Sequence, residues 1–311
     1  MAFLGINKES LMFEGSAVAL VTPFKNNAVD EPKLKELVEF QIAGGTRTIV
    51  PCGTTGETST LSHEEHNRVV ELTVKFVNKR ARVLAGTGSN ATQEAIELTR
   101  HAKAAGADGT LQITPYYNKP TQRGLADHFK AIAEAVDLPI VLYNVPGRTG
   151  VNMLPSTVVD LVRSCPRVVG IKEASGNIDQ STEIIQALGP VFEVLSGDDS
   201  LTLPILAVGG KGVVSVVANL VPGDVSGLCA AWEKGDTADA ARRHLKLYPL
   251  CRAMFLETNP IPVKTAMGWL DLCEPDMRLP LTPLEKGNAE KLEKALRDYG
   301  LVGPRRRHAG C

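Results

Sequence analysis

The sequence predicts an α/β chain folded as a (β/α)8 TIM barrel with a C-terminal helical extension. Eight short apolar, β-branched runs recur along the 311 residues, each closing on Gly, Pro or small polar residues. They are near-continuously apolar rather than alternating, as strands covered on both faces should be. Helical patterns of matching length lie between them, and strand followed by helix eight times over is the signature of this barrel. A doubly wound open sheet shares the alternation. No Gly-x-Gly-x-x-Gly follows the first run, however, and the nearest stretch, GTGSNA at Gly86, lacks the third glycine.

In chain order the runs are SAVALVTPF from Ser16, RTIVPCGTT from Arg47, RVLAGTG from Arg82 and GTLQITPYY from Gly109. PIVLYNVPG from Pro139, RVVGIKEAS from Arg167, FEVLSGDDS from Phe192 and GVVSVVAN from Gly212 complete the set. After the first, Asp30 is placed to cap a helix with apolar Leu34, Leu37, Val38 and Ile42, stopped by Gly44-Gly45. After the second, Ser62 and Glu65 fit a capping box. Beyond about residue 222 the strand signal stops. Thr282-Pro283-Leu284-Glu285 reads as the start of a last helix that ends near Gly300. The expected division is a barrel over 12–234, a helical region over 235–300 and a basic tail over 301–311.

Composition narrows the function. A net charge of −1 argues against a general nucleic-acid binder, and the one basic run, Arg305-Arg306-Arg307, reads as a solvated tail. Six scattered cysteines form no Cys-x-x-Cys pair, which predicts free thiols and a reducing compartment. Lys8, Glu9 and Glu14 interrupt any signal-peptide core, and no apolar stretch is long enough to span a membrane. A cytoplasmic soluble protein without membrane partners is the expectation. His63 and His66 in HEEH lack the spacing of a zinc helix, and neither a nucleophile elbow nor a P-loop is present. No metal and no cofactor are expected.

Barrels of this class carry their chemistry at the C-terminal ends of the strands. Those ends hold Thr22, then Thr54-Thr55-Gly56-Glu57, then Thr114 with Tyr116-Tyr117, then Tyr143-Asn144 with Arg148 beyond, then Lys172, then Gly197-Asp198-Asp199. Three of the chain's five tyrosines fall here, which chance placement would scatter. Lys172 interrupts an apolar strand, where lysine is rare unless paired or working. A lysine drawn out of water loses its proton more readily, and a neutral amine attacks a carbonyl to form a Schiff base, the electron sink for carbon–carbon bond chemistry. The structural alternative is a lysine that reaches the solvent rim or pairs with Glu173. Tyr143 and Thr54 carry hydroxyls suited to proton relay, Tyr116 and Tyr117 should face opposite sides, and Arg148 offers a planar fork for a carboxylate.

GTTGE at Gly53–Glu57, YYNKP at Tyr116–Pro120, YNVPGRTG at Tyr143–Gly150, GIKEASG at Gly170–Gly176 and SGDD at Ser196–Asp199 occur in unbroken order. Over roughly residues 12–300 the chain thereby resembles the dihydrodipicolinate synthases, members of the pyruvate-dependent class I aldolase superfamily. The resemblance implies condensation of pyruvate with L-aspartate 4-semialdehyde to give 4-hydroxy-tetrahydrodipicolinate, in lysine and diaminopimelate biosynthesis. It makes Lys172 the Schiff-base lysine and Tyr143 the proton donor and acceptor, with Thr54 and Tyr117 completing the relay. Tyr117 would come from the adjacent subunit of a homotetramer, a dimer of dimers. Thr55 would hold the pyruvate carboxylate, Arg148 the carboxylate of the semialdehyde, and Gly197 and Val214 would line the pyruvate pocket. Ser59, His63, His66, Asn90, Glu94 and Tyr116 resemble the allosteric lysine pocket of lysine-inhibited members. Relatives that cleave sugar acids, such as N-acetylneuraminate and 2-keto-3-deoxy acids, are the alternative class. They match GTTGE loosely and lack the full Arg148-Thr149-Gly150 turn. A non-catalytic barrel acting as a sensor conflicts with an intact Lys172, Tyr143 and Thr54.

Overall fold

The computed structural model describes residues 11–301, so the Arg305-Arg306-Arg307 run and Cys311 lie outside the described residues. Eight strands close into one parallel barrel: β1 (Gly15–Ala19), β2 (Thr48–Val50), β3 (Arg82–Gly86), β4 (Gly109–Ile113), β5 (Ile140–Asn144), β6 (Val168–Glu173), β7 (Glu193–Ser196) and β8 (Gly212–Ser215). β1 pairs with both β2 and β8, which closes the ring and excludes the open sheet. A short antiparallel hairpin, Phe24–Lys25 with Ala28–Val29, leads out of β1.

The barrel helices are α1 (Glu31–Ala43), α2 (His63–Val77), α3 (Thr92–Ala105), α4 (Gln122–Ala135), α5 (Pro155–Ser164), α6 (Ile178–Leu188), α7 (Thr202–Ala207) and α8 (Pro222–Glu233). Asp30 caps α1 by accepting from the Lys33 N–H, and Gly44 follows its last turn. Ser62 and Glu65 form the expected capping box at α2. Three further helices pack on, α9 (Thr237–Ala253), α10 (Ile261–Trp269) and α11 (Lys286–Tyr299). α11 starts at Lys286 and not within the Thr282-Pro283 signal. Its first turn is held from outside, since Glu257 accepts hydrogen bonds from the Glu285 N–H and the Asn288 side chain, both at 2.9 Å. No side chain caps the first-turn N–H groups of α11; a tertiary carboxylate instead anchors the residue before the helix and the Asn288 side chain.

Side chains alternate along each strand. One face fills the barrel interior with Ala17, Ala19, Val50, Leu84, Leu111, Val141, Tyr143, Leu195 and Val214. Fully buried Phe13 joins this cluster from the segment entering β1. Its ring lies where Gly109 leaves room, because a Cβ on that glycine would sit 2.6 Å from the ring edge. The Phe13 N–H donates to buried Glu193 at 2.9 Å, tying the entering segment to the start of β7. Outside the barrel, one apolar cluster runs from Leu34, Leu37 and Val70 to Val263, Met267, Leu292 and Leu296, so barrel and C-terminal helices share a core.

Candidate active site

The pairing of β5 with β6 sets the site. Tyr143 is opposite Lys172, and Asn144 is opposite Glu173. Strand period two sends the first couple inward and the second outward. Lys172 is 6% exposed, with Nζ 4.2 Å from the centroid of the Tyr143 ring. Glu173 does not pair with it. Its carboxylate accepts from Asn144 Nδ2, the Ser175 N–H and Gln180 Nε2, a buried network behind the strands. Such a network fixes the ends of β5 and β6 rigidly, which fixes the lysine and tyrosine that alternate with it.

Lys172 opens into a cavity of about 110 Å³ lined by Thr54, Thr55, Tyr143, Arg148, Gly197 and Asp198, with Val145, Ala174, Val216, Phe255 and Asn259. The turn carrying Thr54 and Thr55 is pinned beneath by Glu57, whose backbone is left-handed (φ 55°). Glu57 Oε1 takes a 2.6 Å ion pair from Lys264 Nζ of α10, and both side chains are fully buried. Burial pushes the Lys264 ammonium below its ordinary value, against the pull of Glu57. Thr22, from the end of β1, donates to the Gly56 carbonyl at 2.7 Å and accepts from Lys264 through its own carbonyl. Gly197 has no room for a side chain, since a Cβ there would lie 2.6 Å from that of Ala174.

Arg148 stands exposed at the rim, on a one-turn helix (Pro146–Thr149), and its guanidinium donates to Thr258 Oγ1 and the Asn259 carbonyl. Val214 is buried in the interior cluster with Tyr143 and Leu195, while Val216 is the valine that faces the cavity. Tyr117 is not in its own chain's site: it is 89% exposed with φ 71°, a left-handed residue turned outward. Tyr116 goes the other way and lines a second cavity of about 240 Å³ with Ser59, Gly86 and Gly88. The two cavities share Thr54, Tyr143 and Arg148 as a wall.

Outside the lining of that cavity, His63 and Glu94 are 2.8 Å apart, Glu94 also takes the Ser89 hydroxyl, and the Asn90 carbonyl accepts from Asn118. Ser89, then His63, hold the Glu94 carboxyl below its usual value. His66 of HEEH, unlike His63, does not face solvent. It is buried on the inner face of α2, with Nε2 2.8 Å from the Gly86 carbonyl, and burial lowers its pKa. Sequence reasoning passed over Asn259, Phe255 and Val216 of the cavity and Lys264, the partner of Glu57 behind it. Their one local mark is Asn259-Pro260-Ile261-Pro262, where proline breaks the helical pattern. Among the described residues, no group of three or more His, Cys, Asp or Glu is placed to hold a metal ion.

A parallel barrel that presents a buried lysine among hydroxyls at the C-terminal ends of its strands defines a lyase of the Schiff-base, class I aldolase kind. The family model described as the dihydrodipicolinate synthetase family matches residues 12–299. A 4-hydroxy-tetrahydrodipicolinate synthase of Citrifermentans bemidjiense is 57% identical over 291 residues, 94% of this chain and 100% of the relative. The dihydrodipicolinate synthase of Acinetobacter baumannii, solved with pyruvate, is 48% identical with a TM-score of 0.91, covering 94% of this chain and 100% of that one. The Cyanidioschyzon merolae enzyme, solved with lysine bound, is 42% identical with a TM-score of 0.90, over 94% and 100%. The chain belongs to the dihydrodipicolinate synthetase family.

Proposed function

We propose that Lys172 carries pyruvate as a Schiff base in the reaction of this family, the condensation of pyruvate with L-aspartate 4-semialdehyde in lysine and diaminopimelate biosynthesis. One observation carries the assignment. Lys172 Nζ is buried at the floor of the cavity, 4.2 Å from the Tyr143 ring, within a lining of Thr54, Thr55, Gly197 and Arg148.

The neutral amine adds to C2 of pyruvate, and the former carbonyl oxygen leaves as water after protonation. The resulting imine withdraws electrons from C3, which loses a proton to give an enamine. That carbon attacks the aldehyde, whose oxygen takes a proton and becomes the hydroxyl of the product. The amine of the semialdehyde, once deprotonated, attacks C2 and closes the six-membered ring, releasing Lys172 as a free amine. Tyr143 gives and takes these protons because its hydroxyl lies on the strand beside the lysine, and a hydroxyl both donates and accepts. Thr54 passes them on, and Tyr117 of the adjacent subunit joins the relay to solvent. Thr55 holds the pyruvate carboxylate, Gly197 lines the pyruvate pocket, and Val214 packs behind it. Arg148 receives the carboxylate of the semialdehyde through its fork.

The exposed, outward Tyr117 supports a homotetramer built as a dimer of dimers, in which each subunit completes its neighbour's relay. Ser59, His63, Asn90, Glu94 and Tyr116 support a lysine-binding pocket, with His66 positioning its wall through the Gly86 carbonyl. Glu94 pairs with the ligand's ammonium, displacing His63. A cytoplasmic enzyme is supported by the five buried free cysteines among the described residues, none of whose helices is long and apolar enough to cross a membrane. The test of the central assignment is borohydride reduction in the presence of pyruvate. One reduced pyruvate adduct is expected on the peptide containing Lys172, and an adduct on any other lysine removes the assignment.

A further inference from the structure

Asn259 reaches the cavity from the C-terminal helical region and touches both groups assigned to the substrates' carboxylates. Its Nδ2 donates to Thr55 Oγ1 at 2.9 Å, and its backbone carbonyl accepts from Arg148 at 3.3 Å. The residue is 5% exposed and lines the same cavity as Lys172, yet its side-chain Oδ1 is buried with no hydrogen-bond partner. A buried acceptor left unpaired is costly, and native structures rarely keep one without a reason.

Resting on the proposed roles of Lys172 and Arg148, we infer that Asn259 Oδ1 is the acceptor for the α-ammonium group of the second substrate, and so makes the site selective for an amino-acid semialdehyde. In aspartate semialdehyde the ammonium and the carboxylate share one carbon. Whatever receives the ammonium must therefore lie beside the fork that receives the carboxylate, and Asn259 is bonded to that fork. A neutral amide is also the right chemistry. The amine must shed its proton before it closes the ring, and a carboxylate would favour the charged form more strongly. Asp198, the carboxylate lining this cavity, has one oxygen engaged by the N–H and hydroxyl of Ser200. The Nδ2 end has a second effect. Because Thr55 Oγ1 accepts from Asn259, its own proton is left to donate to the pyruvate carboxylate.

Succinate semialdehyde, which has hydrogen in place of the ammonium, separates recognition of the amine from everything else. In Asn259→Ala the KM for aspartate semialdehyde should rise roughly tenfold or more, as for loss of a hydrogen bond to a charged group. The Ki of succinate semialdehyde as a competitor should stay within about twofold of wild type. Asn259→Asp keeps an acceptor toward the ammonium but loses the N–H given to Thr55, so it should retain the preference for the amino semialdehyde and raise the KM for pyruvate. An equal rise of both aldehyde constants in Asn259→Ala would show a merely structural residue and overturn the inference. Loss of the preference in Asp198→Asn, with Asn259→Ala unchanged, would overturn it in favour of the carboxylate. Borohydride trapping of pyruvate in the wild type reads the Schiff base separately, and the KM and Ki comparison holds whichever group carries pyruvate.

Discussion

Lys264 and Glu57 meet 207 residues apart in sequence as a 2.6 Å ion pair with no exposed surface on either side chain. The pair joins α10 to the turn that carries Thr54 and Thr55. Removing one member leaves a buried charge uncompensated, which typically costs about 3–5 kcal/mol, whereas replacing both by apolar residues costs much less. Lys264→Met should therefore destabilise the enzyme in urea unfolding by about that amount, and Lys264→Met with Glu57→Leu by less. Equal losses in the single and double variants would mean that the charges do not act as a couple.

Glu193 gives the fold a pH dependence of defined sign. Burial raises its carboxyl from the ordinary 4.5 to about 7, although the Phe13 N–H and nearby Lys211 favour the ionised form. A raised carboxyl binds its proton more tightly in the folded than in the unfolded chain. Its contribution is therefore fully present below about pH 4.5 and lost as the pH rises to about 7, by on the order of 3 kcal/mol. Glu193→Gln keeps an acceptor for Phe13 and should flatten thermal stability between pH 5 and about 7. A variant that follows the wild-type slope would assign that slope to other groups.

Arg148 stands exposed at the rim, and its contacts with Thr258 and Asn259 hold the fork in place. Arg148→Ala should lower kcat/KM for aspartate semialdehyde roughly 10- to 100-fold, the range for losing a hydrogen bond to a charged group. Borohydride trapping of pyruvate should be unaffected. Wild-type turnover in the variant would disprove this substrate contact.

The outward Tyr117 predicts complementation. Tyr117→Phe and Lys172→Ala should each be nearly inactive, and mixing them under subunit exchange should restore part of the activity. A mixed dimer contains one site with both groups intact. Proven exchange without rescue would show that Tyr117 does not complete the neighbour's relay.

Lysine inhibition is the fifth expectation. Added L-lysine should inhibit the wild type, and Glu94→Ala should abolish the effect by removing the partner of the ligand's ammonium. The shared wall at Tyr143 and Arg148 is where binding in the larger cavity would be felt, with coupling of about 1–3 kcal/mol typical of such links. Unchanged wild-type turnover at millimolar lysine would remove the pocket.

Much of this architecture is legible locally. Apolar β-branched runs mark the eight strands, and Asp30 and Ser62 mark helix starts, because a cap acts within three residues. Lys172 stands out because a cation in an apolar strand needs a reason. What escapes is whatever distant chain supplies. α11 begins where Glu257 holds it, which no local signal encodes. His66 reads like His63, yet His63 opens α2 in solvent while His66 lies one turn further in, with its ring against β3. Asn259 and Lys264 are ordinary residues near two prolines until the fold returns them to Thr55 and Glu57.

That return also sets when a newly made polypeptide becomes competent. All eight strands have left the ribosome before residue 259 has been added, and the nascent barrel then holds Glu57 without its cation and Thr55 without its amide. Completion waits for the last segment to dock on the first, a closure across more than 200 residues, and contacts so distant in sequence form late. A messenger truncated before Lys264 would therefore leave Glu57 without its cation and the core shared by barrel and C-terminal helices incomplete.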